Sequence, residues 1–199
     1  MATKQKLTIV QGNTFEQIVR WETSLLTTKA ITGIARATPV VITSVAHGVP
    51  EGWRVAVISA GGMSQINART YPPRGSEFET ATVLSADTIA LPAVSSAGYD
   101  AYTSGGSLVY YTPQTLSGYT ARMTIRDFVG GTELASLTTE NSGILLDNAN
   151  KAITVTISAT DTAAYTWRSG VYDLELVSSS GVVTTLMRGS VAVTQEVTT

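Results

Sequence analysis

The sequence contains no cysteine. That excludes a disulfide framework, a cysteine nucleophile and a zinc site built on thiolates. Charge is scarce as well: 14% of the 199 residues are charged, against about 25% in ordinary soluble domains. The 13 Lys and Arg and 15 Asp and Glu leave a net charge of −2 and form no basic block, which argues against electrostatic binding of nucleic acid. No apolar run approaches the roughly 18 residues of a membrane-spanning helix. Low charge beside a hydrophobic content of 43% also excludes a wholly disordered chain. The opening Met1-Ala2-Thr3-Lys4-Gln5-Lys6 is followed by Leu7-Thr8-Ile9-Val10, too short a run for the core of a signal peptide. The expectation is a protein made and kept in a cytosol, or assembled into something there.

What is abundant is alternation with a period of two. Tyr119, Ala121, Met123 and Ile125 alternate with Thr120, Arg122, Thr124 and Arg126, the pattern of a strand with one buried and one wet face. Ile153, Val155 and Ile157 repeat it, as do Tyr172, Leu174 and Leu176. Phe15, Val19 and Trp21 place a strand near the start, with no evident hairpin partner before Tyr119. Val182–Arg188 and Ser190–Thr194 read as a hairpin broken at Gly189. One segment, Ser158–Tyr165, suggests a single helical turn with Ser158 or Thr160 as N-cap and Asp161 favouring the dipole.

The middle differs from the ends. Residues 30–111 hold Pro39, Pro50, Pro72, Pro73 and Pro92 and only short apolar runs, whereas residues 1–29 and 112–199 alternate more cleanly. The economical reading is one domain, 1–29 with 112–199, interrupted by another, 30–111, with boundaries near Thr28–Ala30 and Tyr111–Gln114. Insertions succeed where exposed chain ends lie close together.

The middle carries Ile31-Thr32-Gly33-Ile34, Pro39-Val40-Val41-Ile42-Thr43-Ser44, His47-Gly48-Val49-Pro50-Glu51-Gly52, Gly62-Met63, Ile66-Asn67, Tyr71 and Ala86-Asp87-Thr88-Ile89-Ala90-Leu91. It resembles the small β-barrel module of many phage and prophage proteins, named after the first catalytic cysteine half-domain of ubiquitin-activating enzymes. That name implies no activity here, since a thioester needs a cysteine. After Tyr71 the chain departs from the module's pattern with Pro72-Pro73-Arg74-Gly75-Ser76-Glu77. Prolines cannot donate to a sheet ladder, so a protruding hairpin tip is expected there.

The flanks carry Gln11-Gly12-Asn13-Thr14-Phe15, Leu116-Ser117-Gly118-Tyr119 with the strand that follows, Leu137-Thr138-Thr139-Glu140, and Gly170-Val171-Tyr172-Asp173-Leu174-Glu175-Leu176. They are similar to the immunoglobulin-like N-terminal domain of phage baseplate upper proteins. Together the two resemblances imply an all-β chain, an immunoglobulin-like β-sandwich interrupted by a small β-barrel. They imply a non-enzymatic adaptor of the virion tail, neck or baseplate that docks other virion proteins, forms a ring or trimer, uses no cofactor and has no membrane span.

The residues offer little chemistry of their own. His47, the single histidine, has no evident nucleophile or orienting carboxylate and reads as a turn residue hydrogen-bonded to backbone. Glu77/Glu79 and Asp173/Glu175 each share a strand face, which predicts solvated charges rather than a catalytic pair. Asp147-Asn148-Ala149-Asn150 fails the calcium-loop pattern, because Ala152 and Ser158 stand where Gly and Glu are needed. The glycine pairs precede no phosphate-binding motif. Trp21 and Trp53 read as core and Trp167 as a cap on the sandwich. The expected interface residues are Pro72, Pro73 and Arg74 at the tip and Tyr99 and Tyr102 as exposed aromatic anchors. The same two tyrosines support the alternative of a host-glycan-binding module, stacking on sugars; a head decoration protein differs from the adaptor only in location.

Overall fold

The computed structural model describes residues 2–196. The protein is all-β, with a single five-residue α-helix among those residues. Residues up to Trp21 and from Thr115 onward form one compact unit; Glu22–Gln114 form a second. The strands β1 (Thr3–Lys4), β2 (Leu7–Val10) and β3 (Phe15–Val19) open the first unit. The second holds β4 (Glu22–Ala30), β5 (Gly33–Ala35), β6 (Val40–Thr43), β7 (Arg54–Gly61), β8 (Glu79–Thr80), β9 (Thr82–Ser85), β10 (Thr88–Leu91) and β11 (Ser104–Pro113). The chain then returns to the first with β12 (Tyr119–Arg126), β13 (Glu133–Thr138), β14 (Ile144–Asp147), β15 (Ala152–Ile157), α1 (Ala159–Ala163), β16 (Ser169–Ser178) and β17 (Val183–Thr194). The division at Trp21/Glu22 falls ahead of the sequence boundary near Thr28–Ala30, because β4 is paired with β11 from Ala30 back to Glu22.

In the first unit a larger sheet runs β1-β17-β16-β12-β13, with β2 also on β17, and a smaller one runs β14-β15-β3. Their inward faces share one core. Met123, Ile125, Leu174 and Leu176 come from the larger sheet, and Ile144, Ile153, Val155 and Ile157 from the smaller. Each such side chain, removed fully from water, contributes about 1.5–3 kcal/mol. The partner of β3 is β15, from Phe15↔Ile157 to Val19↔Ile153, and not the strand at Tyr119. Trp21 instead meets Tyr119 edge-to-face at 5.4 Å. Of the two N-cap candidates, Ser158 is the one that caps helix α1: its Oγ accepts from the Asp161 backbone N–H at 3.1 Å.

The C-terminal run is not a hairpin broken at Gly189. β17 is one 12-residue strand, pairing with β16 on one side and, in parallel, with β1 and β2 on the other. Gly189 marks where the N-terminal segment crosses it. A Cβ there would lie 2.0 Å from the Gln5 carbonyl oxygen. That oxygen accepts from the Tyr172 hydroxyl at 3.0 Å, and the Gln5 N–H donates to Arg188 O at 3.0 Å. The glycine is thus required by a close backbone approach rather than by a turn.

In the second unit two four-stranded sheets, β5-β6-β10-β9 and β4-β11-β7-β8, enclose a separate core around Trp53, Ile42, Met63, Ile89 and Leu108. The expected small barrel is not closed. The chain instead turns from one sheet to the other at Ile31–Thr32 and at Ala81. Ile31 N–H donates to Gly106 O and Thr32 N–H to Thr43 O. Ala81 N–H donates to Trp53 O, and Ala81 O accepts from Gly52 N–H. Such corners, where one strand switches sheets, characterise near-orthogonal packing.

Candidate functional site

The Pro72–Glu77 segment is not a protruding hairpin. It belongs to a long connection between β7 and β8 that folds around one carboxylate. Glu77 accepts from the Arg69 N–H at 2.6 Å, the Thr70 hydroxyl at 2.7 Å and the Arg74 N–H at 2.7 Å. The Arg74 N–H, then the Thr70 hydroxyl, then the Arg69 N–H stabilise the ionised form and hold its pKa down at about 2. Tyr71, Pro72 and Arg74 are exposed, but Pro73 is buried.

Beside this connection lies a cavity of about 470 Å³. Arg74 and Tyr99 line it together with Gln65, Arg69, Ser76 and Glu79. Pro72, Pro73 and Tyr102 do not. Tyr102 is half-buried, and its hydroxyl donates to Gly105 O at 2.9 Å, with Ile31 O at 3.2 Å. It pins a loop rather than offering an anchor. Of the five expected interface residues, the fold therefore gathers two.

His47 is 2% exposed. The Val49 N–H donates to its Nδ1 at 2.9 Å, which leaves the ring proton on Nε2 to donate to Ser85 O, also at 2.9 Å. Its carbonyl accepts from the Tyr110 hydroxyl at 2.6 Å. Every polar atom of the ring is committed to backbone. Asp147 closes its own turn, accepting from the backbone N–H groups of Ala149 and Asn150 and from the Asn150 amide. Those bonds, led by Asn150, lower its pKa. Trp53 is fully buried and Trp167 packs on Tyr165 at 4.8 Å.

A larger concavity lies on the outer face of the larger sheet of the first unit. This trough of about 1070 Å³ runs across β12, β16 and β17, with Lys4–Lys6 and the β12–β13 turn at Val129–Gly130 also lining it. Its lining holds five cations, Lys4, Lys6, Arg122, Arg126 and Arg188, against two carboxylates, Asp173 and Glu175. Strand register explains the arrangement: Lys4 pairs with Arg188, Arg188 with Asp173, and Asp173 with Thr124. Arg122 is ion-paired with Glu175 at 2.8 Å. Arg126 lies 3.5 Å from Glu133 and donates to Gly131 O. No ion pair involves Lys4, Lys6 or Arg188 among the described residues. Alternation identifies Arg122, Thr124, Arg126, Asp173 and Glu175 as an outer face, but nothing local in the sequence brings Lys4 to Arg188.

No protein-family model matches the chain, and a search of curated proteins found no match either. Among the described residues no helix is long and apolar enough to cross a membrane.

Proposed function

We propose that the chain is a non-enzymatic structural protein of a phage virion, an adaptor in the tail, neck or baseplate that docks neighbouring subunits or fibres. The observation that carries this reading is the interruption itself: a compact β unit, Glu22–Gln114, lies between β3 and β12 of another. That arrangement suits the two module resemblances in their order along the chain. The strand orders β14-β15-β3 and β17-β16-β12-β13 support the immunoglobulin-like reading, since they follow the D-E-B and G-F-C-C′ orders of that sandwich. Adaptors of this kind act by shape, presenting faces and edges to symmetric neighbours.

The test is physical association. A tagged copy expressed during phage production should co-purify with particles and label one region of the tail in immuno-electron microscopy. Recovery only in the particle-free fraction would overturn the reading. A second reading, a host-glycan-binding module, is favoured by one observation: half-buried Tyr99 lines a cavity with the planar polar groups of Gln65, Arg69, Arg74 and Glu79. Glycan-array signals that vanish with Tyr99→Ala would support it; flat arrays would leave the adaptor.

A further inference from the structure

We propose that the trough on the larger sheet binds an extended acidic segment of a partner protein, with an apolar side chain of that segment seated against Val129. The inference names the kind of partner an adaptor would hold here, and it rests on the adaptor reading only for where that partner is found.

The first argument is charge. The protein as a whole is acidic, yet this lining has five cations and two carboxylates. Lys4 and Arg188 are direct neighbours in a parallel ladder and both are exposed. Like charges placed opposite one another destabilise a sheet. Asp173, across from Arg188 on the other side, offsets only part of that repulsion, and Lys6 adds to it. A ligand bearing spaced carboxylates relieves all three cations at once, and in an extended chain alternate side chains face one way, as such a floor requires.

The second argument is the wall. Val129, which lines the trough, is 87% exposed at the tip of the β12–β13 turn. An apolar side chain in open water beside a cationic floor favours a polypeptide over a polyphosphate backbone. An apolar anchor with flanking charge contacts is the usual division of labour at a protein interface, the anchor giving affinity and the charges orientation and speed of encounter.

The test uses the full chain and a fluorescent dodecapeptide of Glu and Asp with one central Leu. A peptide with Gln and Asn at the acidic positions and a single-stranded oligonucleotide of similar length are the comparators, read by anisotropy in low and high salt. The acidic peptide should bind in low salt and weaken in high salt. Lys4→Glu with Arg188→Glu should weaken it about tenfold or more, and Val129→Ser about threefold. Because charge reversal can disturb the N-terminal strand, Lys4→Gln with Arg188→Gln is run beside it; relief of the like-charge pair should leave that variant at least as stable and still weaker in binding. Equal binding of the neutral peptide, tighter binding of the oligonucleotide, or affinity unchanged by either double variant would overturn the proposal. None of these outcomes bears on whether the chain co-purifies with particles, so the two readings fail separately.

Discussion

The two compact units hold themselves together by different means. The first relies on long ladders: the 12-residue β17 is flanked on both sides, and β16 pairs along its length with β12 and β17. The second has long strands too, in β4, β7 and β11, but polar side chains tie its connections to backbone. His47 ties Val49 to Ser85, Asn67 bonds both the N–H and the C=O of Ala60, Ser96 bonds Ala37, and Glu77 gathers the connection around it. In a long ladder each hydrogen bond is supported by its neighbours. A single side-chain tie has no such support, so its loss leaves buried backbone groups unmatched. Polar residues in the connections of the second unit are thus consumed by architecture, whereas Lys4, Lys6 and Arg188 on the outer sheet face of the first make no ion pair among the described residues.

The sharpest way to separate the units is Trp53→Ala. Trp53 is fully buried and donates from Nε1 to Tyr111 O at 2.9 Å. Its truncation should cost about 3–5 kcal/mol, and hydrogen exchange should show amides of 22–114 losing protection before those of β16 and β17. Next comes Gly189→Ala in the first unit. The added methyl meets the Gln5 carbonyl, so the N-terminal strand must shift, at about 1–3 kcal/mol. Exchange at Leu7–Val10 should rise while the second unit stays protected. A smaller effect, about 1–2 kcal/mol, is expected of Asn67→Ala, which leaves both Ala60 groups unpaired; chemical denaturation of the variant would measure it.

Acidity and alkalinity should distinguish the units by direction. Glu77 ionises at about 2 rather than near 4.5. Because the folded value is the lower one, its contribution is full above about 4.5 and fades as pH falls toward 2. The 69–77 connection should loosen over that range, and Glu77→Gln should flatten the dependence. Tyr172 is displaced the opposite way, to about 12, by burial and by Asp173. Its contribution is full below about 10 and fades as pH rises toward 12, acting on the first unit; Tyr172→Phe should abolish that alkaline slope. The smallest effect is expected of Arg122→Ala at the exposed Glu175 pair, about 0.2–1 kcal/mol and less in salt, by thermal melting.

What was legible in the sequence was local. The alternation of 119–126, 153–157 and 172–176 gave strands with the right inward faces, and the Ser158 cap gave α1. What escaped depended on distant parts of the chain. The partner of β3 lies beyond the whole second unit, and hydropathy cannot name it. Gly189 read as a break because glycine in a strand can signal either a turn or a close approach, and only the position of Gln5 decides between them. Whether the second unit closes depends on how Ile31–Thr32 and Ala81 turn, which no periodicity encodes. Arg74 and Tyr99 meet at one cavity while Tyr102 turns inward, because its hydroxyl finds two carbonyls that the sequence places far from it and near it respectively, Ile31 and Gly105.

The pairing of Thr3 with Met187 also sets an order of events during synthesis. The second unit completes all of its strand pairs from a continuous stretch of chain and can form while the ribosome is still translating the rest. Strands β1 and β2 are made before the second unit yet have no partner until β17 has been made. Pairings this far apart in sequence are slow to close, and an unpaired strand edge is exposed to wrong partners meanwhile. A message truncated before β17 would therefore release a chain with a finished middle and an open margin, a form suited to clearance by proteases.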